Sequence, residues 1–169
     1  TSNLENDKLL VESAKKIGIK PFTGSETNVA SRFYQSAKDL KCITWLHRLN
    51  ADNVFFDFDA INSIYTSKIK DNFHMISNVN HDHTPGFSIE LVKKIFYKNS
   101  MLHFSDIHKE HVTKYFYDNL KKYNNSIHWL MNDRNYNDLA LDNANDLKKV
   151  NALIENYGVG PKTKVSSIQ

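Results

Sequence analysis

A Gly-Ser pair near the start of the chain, Gly24-Ser25, lies between a short apolar run and an amphipathic segment. The pattern predicts a strand over Ile19–Phe22, a turn at the pair and a helix over Glu26–Leu40. The N-terminus of such a helix points back toward the strand end, where free backbone N–H groups and the helix dipole favour an anion. Taken alone, the pair is a weak indication of an anion-binding turn.

Two aspartates follow predicted strands, at the strand ends where open α/β sheets place their ligands. Asp52 comes after a buried strand predicted for Lys41–Leu49, and Asp142 comes after a short strand predicted for Asp138–Leu141. A lone Asp after a strand is more often a turn residue than a ligand, and Asp is also among the best helix N-caps. The residues by themselves leave a binding role and a structural role open.

Apolar runs and helical patterns alternate along the whole chain, which is typical of βαβ units. Further strands are predicted at Phe73–Val79, Gly86–Val92 and Ser126–Met131. Further helices are predicted from Asn6 or Asp7 to Gly18, over Asp57–Tyr65 and Lys93–His103, from Ser105 or Asp106 to Asn119, and over Asn143–Tyr157. We therefore expect an α/β fold, a three-layer sandwich with a mostly parallel sheet. Residues 1–158 are expected to form one domain, and residues 159–169 a flexible tail.

The composition narrows the classes of protein that need to be considered. With 169 residues, 40% hydrophobic and 12% aromatic, the chain can form one domain with its own core. The net charge of +3 comes from basic residues spread along the chain, so we expect no nucleic-acid binding. The one cysteine, Cys42, excludes an internal disulfide and is predicted to be buried. We find no apolar run of about 18 residues and no signal peptide, and we therefore expect a cytoplasmic protein without membrane segments.

Four later segments combine unusual residue types. They read Arg-Leu-Asn-Ala-Asp at 48–52, Thr-Pro-Gly-Phe-Ser-Ile-Glu at 84–90, Glu-His-Val-Thr-Lys-Tyr-Phe-Tyr-Asp-Asn at 110–119 and Leu-Ala-Leu-Asp-Asn-Ala-Asn-Asp-Leu at 139–147. With the Gly-Ser turn they resemble the cytidylyltransferases that activate acidic sugars, in particular the spore-coat polysaccharide type related to the acylneuraminate and 3-deoxy-octulosonate enzymes. The corresponding family segments are Arg-Leu-Thr-Gly-Asp, Pro-Lys-Gly-Leu-Asp-Val-Glu, Glu-His-Val-Thr-Pro-Tyr-Ile-Tyr-x-Asn and Leu-Thr-Val-Asp-Thr-Pro-Glu-Asp-Leu. The resemblance implies the Rossmann-like architecture of nucleotide-diphospho-sugar transferases.

The resemblance also implies a reaction, in which CMP moves from CTP to an acidic sugar and pyrophosphate leaves, for the biosynthesis of surface glycans or polysaccharides. Asp52 and Asp142 would hold Mg²⁺, a hard ion usually bound by one or two carboxylates together with phosphates and water. The other implied roles are catalysis for Arg48, Asp52 and His111, nucleotide binding for Gly24, Ser25, Arg32 and Asn50, and sugar binding for Gly86, Glu90 and His111. A core position remains an alternative for His111, a helix cap remains one for Asp142, and a homodimer is left open.

The chain departs from the family pattern mostly at the expected site. Thr23 stands where an Arg usually precedes the Gly-Ser pair, and Asn50, Ala51 and Val54 replace Thr, Gly and Pro around Asp52. The family's first strand and phosphate loop have no counterpart, and we interpret them as missing ahead of Thr1. These differences leave a second function open, in which a diverged, non-catalytic member keeps the fold as a binding or assembly module.

Overall fold

The structure, a computed structural model, describes residues 1–56, 58–67, 69–79, 86–130 and 140–158. The helices are α1 Lys8–Lys16, α2 Val29–Gln35, α3 Phe58–Thr66, α4 Ile69–Asn72, α5 Lys94–Ser100, α6 Asp106–Glu110, α7 Lys114–Asp118, α8 Leu120–Tyr123 and α9 Ala144–Tyr157. The strands are β1 Trp45–Arg48, β2 Met75–Ser77, β3 Glu90–Lys93 and β4 Ile127–Trp129. Within these described ranges, no helix is long and apolar enough to cross a membrane.

The strands form a mixed sheet in the order β1-β3-β2-β4. Strand β2 runs antiparallel to β3, with Met75 opposite Val92, and parallel to β4, with Met75 opposite Ile127. The α/β fold is confirmed, and the β2–β3 pair departs from the mostly parallel sheet that we expected. Only six residues, 80–85, separate the strands predicted at Phe73–Val79 and Gly86–Val92. That connection is too short for a parallel crossover, which needs about a dozen residues or more.

The chain forms two compact units, the first comprising Thr1–Leu46 and Lys93–Asn124 and the second His47–Val92 and Asn125–Gln169. Aromatic side chains form the core of the first unit. They are Phe96, Tyr97, Phe104, Tyr115, Phe116 and Tyr123. The rings of Phe96 and Phe116 stack with centroids 5.1 Å apart, and Tyr97 meets Phe104 edge-on at 5.8 Å. These are the arrangements in which aromatic pairs stabilise a core beyond simple area burial.

In the first unit, one lysine holds the chain that follows helix α2. The Nζ atom of Lys94 donates to the carbonyl oxygens of Ala37, Lys38 and Leu40 at 2.9, 3.0 and 2.9 Å. These three residues follow directly after the C-terminal end of α2, where a cation also suits the helix dipole. The ammonium group therefore ties α5 to the segment that leaves α2.

The core of the second unit includes Phe55, Phe87 and Val150, all buried and packed together. The partly buried side chains that cover them are Val54, Leu141 and Leu153. Phe55 lies three residues after Asp52, while Val150 belongs to helix α9 and Leu141 immediately precedes Asp142. This packing fixes the two aspartate segments against one another within the second unit.

Three predictions for the start of the chain are wrong. Ile19–Phe22 is not a strand, because Ile19 is 57% exposed and Pro21 has no N–H to offer a neighbouring strand. The helix predicted for Glu26–Leu40 is shorter and begins at Val29, where the Asn28 side chain caps it. Cys42 is exposed rather than buried.

The single helix predicted for Ser105–Asn119 is also wrong, since it is divided into α6 and α7. His111 has an extended conformation with φ −104° and ψ 94°. The carbonyl oxygen of Val112 accepts a hydrogen bond from the Tyr97 hydroxyl at 2.9 Å, and the side chains of Val112 and Thr113 are buried. Tertiary contacts of two β-branched residues therefore override the local helical pattern.

The last helix is confirmed almost to the residue. It was predicted over Asn143–Tyr157 and is observed over Ala144–Tyr157, with Asn143 as its N-cap. Gly158 ends it in the left-handed conformation, φ 60°, that suits a glycine after a helix. Other predicted features lie outside the described residues, namely the cap at Asp57, the positions Thr84, Pro85, Met131, Asp138 and Leu139, and the tail 159–169.

Candidate functional site

Arg48 and Glu90 form an ion pair between the neighbouring strands β1 and β3. The Nη1 atom of Arg48 donates to Oε2 of Glu90. The Glu90 side chain is 2% exposed, whereas the Arg48 side chain remains 26% exposed. A buried carboxylate is costly unless it is paired and hydrogen-bonded. The guanidinium supplies such a partner and still reaches solvent.

His47 precedes Arg48 on strand β1 and was given no role by the sequence analysis. Its Nε2 atom is buried and has no hydrogen-bond partner within the part of the chain that the structure describes. Burial lowers the pKa of His47 below its usual value, and the negative charge of Glu90 offsets part of this effect. His47 is therefore neutral near pH 7, and the positive charge beside Glu90 belongs to Arg48.

The segments that carry Asp52 and Asp142 are neighbours in the second unit, although 90 positions separate them in the sequence. The backbone N–H of Leu141 donates to the carbonyl oxygen of Asp52 at 2.9 Å, and Asn53 and Ala140 form an antiparallel bridge. Asp52 is half-buried and Asp142 is exposed. The sequence correctly predicted that these two segments meet, whereas the shared metal ion stays a prediction.

Asn53 supports Asp52 from the adjacent position. This residue is 4% exposed. With the amide oriented so that both of its polar atoms are paired, the nitrogen donates to Oδ1 of Asp52 at 3.3 Å and the oxygen accepts from the N–H of Ser88 at 3.1 Å. The backbone N–H of Asn53 donates to the carbonyl oxygen of Asn50 at 3.1 Å. These contacts hold the turn that follows strand β1.

The N-cap of helix α9 is Asn143, so the alternative role of Asp142 as the cap is wrong. The Asn143 side chain accepts from the N–H groups of Asn145 and Asp146 at 2.9 and 3.3 Å. Asp146 reciprocates by accepting from the N–H groups of Asp142 and Asn143 at 3.2 and 3.1 Å. This is a capping box, and it leaves the Asp142 carboxylate with no capping task.

Asp52 and Asp142 suit a magnesium ion better than a metal ion that takes all of its ligands from the protein. Within the described ranges, no group of three or more His, Cys, Asp or Glu side chains is arranged to hold a metal ion. Mg²⁺ needs fewer protein ligands, because it keeps several waters and takes oxygens from substrate phosphates. Two carboxylates on adjacent segments, one half-buried and one exposed, fit that requirement.

The Gly-Ser turn of the first unit is closed by contacts within the protein. A Cβ atom on Gly24 would lie 3.2 Å from Cγ of Arg32, closer than side-chain carbons usually approach. The Arg32 guanidinium donates to the carbonyl oxygen of Ser25. The Ser25 hydroxyl accepts from the N–H of Asn28 at 3.0 Å, and the Asn28 side chain accepts from the N–H of Ser31 at 2.9 Å. Backbone N–H groups that we expected to be free to bind an anion are therefore engaged in hydrogen bonds within the turn.

The positions assigned to the sugar side have different environments. His111 is exposed at the end of α6, so its alternative role as a core histidine is wrong. Gly86 is buried with φ 92°, a conformation that favours glycine. Glu90 is buried and paired with Arg48, as described above. Gly86 and His111 keep their assigned roles as predictions, whereas the burial of Glu90 argues against the direct sugar contact assigned to it.

A Ser-His-Asp arrangement in the first unit escaped the sequence analysis. The Ser105 hydroxyl lies 2.8 Å from Nδ1 of His108, and Nε2 of His108 lies 3.1 Å from Oδ2 of Asp118. The backbone N–H of Ser105 also donates to Nδ1 at 3.2 Å. Because that N–H can only donate, Nδ1 is unprotonated and Nε2 carries the proton. Ser105 and His108 form a capping box for α6, and the contact of His108 with Asp118 joins α6 to α7. The Ser-x-x-His spacing is the feature of the sequence from which this capping box could have been predicted.

Comparison with known proteins identifies the fold. No protein-family model matches the chain. A solved cytidylyltransferase structure from Leptospira borgpetersenii matches it with a TM-score of 0.86 and 20% sequence identity, over 99% of this chain and 71% of that chain. An uncharacterized protein from Methanocaldococcus jannaschii is 28% identical over 122 residues, 70% of this chain. The chain spans 48% of the length of that relative. The structural match shows that this α/β chain has the fold of that cytidylyltransferase.

Proposed function

We propose that the protein is a nucleotidyltransferase that moves CMP from CTP to an acidic sugar and releases pyrophosphate, in the biosynthesis of a surface glycan or polysaccharide. The observation that carries this proposal is the fold match to a cytidylyltransferase over 99% of the chain. The Arg48–Asp52 segment supports it, because it begins at the last residue of strand β1 and lies beside the segment of Asp142. We extend the proposal to the finer architecture, a three-layer Rossmann-like sandwich.

The proposed chemistry rests on positioning and charge rather than on a reactive side chain. The sugar hydroxyl attacks the α-phosphate of CTP, and pyrophosphate leaves. Mg²⁺, when bound, would offset negative charge on the phosphates. Asp52 and Asp142 would hold it and Asn50 would contact the nucleotide, while Arg48, assigned to catalysis, would meet the phosphate groups. Preorganised charges and dipoles of this kind lower the barrier because they need no rearrangement during the reaction.

The remaining predicted roles are assigned within each unit. In the first unit, we propose that Gly24, Ser25 and Arg32 contact the nucleotide and that His111 contacts the sugar. In the second unit, Gly86 shapes the sugar side. Each assignment comes from the resemblance of its segment to the family, and the exposed position of His111 is compatible with substrate contact.

A second function, that of a diverged binding module, is favoured by the Gly-Ser turn. The N–H groups of Asn28 and Ser31 are bonded within the protein, and Thr23 stands where the family has an Arg. A triphosphate would therefore find fewer donors at this turn. The two functions differ in turnover, since a binding module would take up a nucleotide or a sugar without releasing pyrophosphate.

Calorimetric titration of CTP with Mg²⁺ tests the proposed function. We expect CTP to bind more tightly than ATP, GTP or UTP. Asp52→Asn should weaken binding by about tenfold or more, the order expected when a charged interaction is lost. Asp39→Asn is the matched control, because Asp39 is an exposed aspartate to which no role in the site is assigned. Equal affinity for all four nucleotides, or a harmless Asp52→Asn, would reject the assignment of this site.

A further inference from the structure

The environment of Glu90 does not suit a side chain that contacts the sugar directly. Its side chain is 2% exposed, and its carboxylate meets the guanidinium of Arg48. A substrate hydroxyl could reach this carboxylate only if the β1–β3 region opened. The Arg48 side chain, by contrast, is 26% exposed. The group of this pair that a ligand can touch is therefore the guanidinium.

An arginine held in this way is well suited to bind phosphate. The guanidinium is planar, stays charged at all relevant pH values and carries five N–H donors in a rigid fork. A carboxylate that engages one edge restricts the rotation of the side chain and so reduces the entropy lost when an anion binds at the exposed part. Arg48 also lies four residues before Asp52, in the segment assigned to the nucleotide.

The neighbouring histidine does not compete for this role. Burial keeps the pKa of His47 below its usual value despite the nearby Glu90 charge. Its Nε2 atom is buried. Among the described residues, the Glu90 carboxylate and the Arg48 guanidinium thus form the charged pair at this position.

We propose that Glu90 is a positioning residue that orients the Arg48 guanidinium toward the phosphate groups of the nucleotide, and that it makes no contact with the sugar. This inference rests on the proposed function and changes the role that the family resemblance gave to Glu90. It makes the phosphate affinity of the site depend on a carboxylate that no ligand touches.

A double-mutant cycle with Glu90→Gln and Arg48→Met, using CTP with Mg²⁺ as the probe, tests the inference. Glu90→Gln alone should weaken CTP binding by about fivefold or more, the order expected for a charged hydrogen bond. It should change CTP affinity by less than about twofold in the Arg48→Met background, because a residue that acts through Arg48 has no effect without it. Thermal unfolding identifies the variants that are folded. Arg48→Lys keeps a positive charge beside Glu90, and it replaces Arg48→Met as the background of the cycle if Arg48→Met does not fold.

Three results would overturn the inference. Glu90→Gln could leave CTP affinity unchanged and raise the KM for the sugar, as direct sugar contact predicts. It could also weaken CTP binding equally with and without Arg48. Either result would leave the proposed function intact. A wild-type protein that binds no CTP would overturn the proposed function and this inference with it, so the two failures are distinguishable.

Discussion

Replacing Lys94 with Met tests whether one ammonium group holds the segment that follows helix α2. Lys94 donates to three carbonyl oxygens, those of Ala37, Lys38 and Leu40, at 2.9 to 3.0 Å. Methionine keeps most of the apolar stem and removes all three donors. The change therefore isolates the hydrogen bonds and the charge from the packing of the side chain.

The expected loss of stability is smaller than the sum of three charged hydrogen bonds. One bond to a charged donor contributes about 1.5–3 kcal/mol net. The bonds to the carbonyl oxygens of Lys38 and Leu40 are exposed, so water can replace the ammonium there. We therefore expect a total loss of about 1.5–3 kcal/mol, set mainly by the part-buried bond to Ala37. For a chain of this size, that loss corresponds to a decrease in Tm of roughly 3–12 °C.

Urea unfolding followed by tryptophan fluorescence, with a thermal scan beside it, measures this loss. Lys98→Met is the matched control, because Lys98 lies on the same helix, is exposed, and should change stability by less than about 0.5 kcal/mol. If both variants unfold at the same urea concentration as the wild type, the ammonium group of Lys94 does not hold this segment. A loss of stability in Lys98→Met as large as that in Lys94→Met would contradict this role as well.

Two further predictions concern the second unit. Below about pH 6.5, the ordinary pKa of a histidine side chain, the unfolded chain gains a proton that folded His47 resists, because burial lowers the pKa of the folded His47 despite the Glu90 charge. The free energy of unfolding should therefore fall as the pH decreases from 7.5 to 5.5. Urea unfolding at both pH values measures this fall. We expect it to be smaller in His47→Gln than in the wild type, and to be unchanged in His103→Gln, which alters an exposed histidine. Asn143→Ala removes the acceptor for two backbone N–H groups of helix α9 and should cost about 0.5–2 kcal/mol. Asn151→Ala, in the exposed middle of the same helix, should cost nothing in the same urea titration, and an equal loss in both variants would contradict the capping role.

The sequence predicted correctly those structural features that depend on residues close together in the chain. Helix α9 was placed within one residue, because its capping residue Asn143 and its terminating Gly158 lie next to its ends in the sequence. The strand predicted for Ile19–Phe22 was wrong, although Pro21 in the sequence already argued against a strand there. The antiparallel β2–β3 pair could have been inferred from the short connection between the two strands. The break between α6 and α7 depends on Tyr97, which is far from Val112 in the sequence and bonds to its carbonyl group.

The candidate site was predictable to a similar degree. The strand-end rule placed Asp52 and Asp142 on adjacent segments, because the chemistry of a strand end is visible in its own sequence. The pairing of Arg48 with Glu90 was not predictable, since it depends on β1 lying beside β3 in the sheet. The buried Nε2 atom of His47 is a consequence of the same tertiary arrangement.

The most direct test of the proposed function follows the fate of the α-phosphate. CTP labelled at that phosphate is incubated with the protein, Mg²⁺ and a panel of acidic sugars, and the products are separated. We predict that the label moves into a CMP-sugar with one equivalent of pyrophosphate released, and that Asp52→Asn stops the transfer while Asp39→Asn does not. A folded protein that binds CTP and leaves all of the label in CTP would contradict the proposed transferase and favour the binding module.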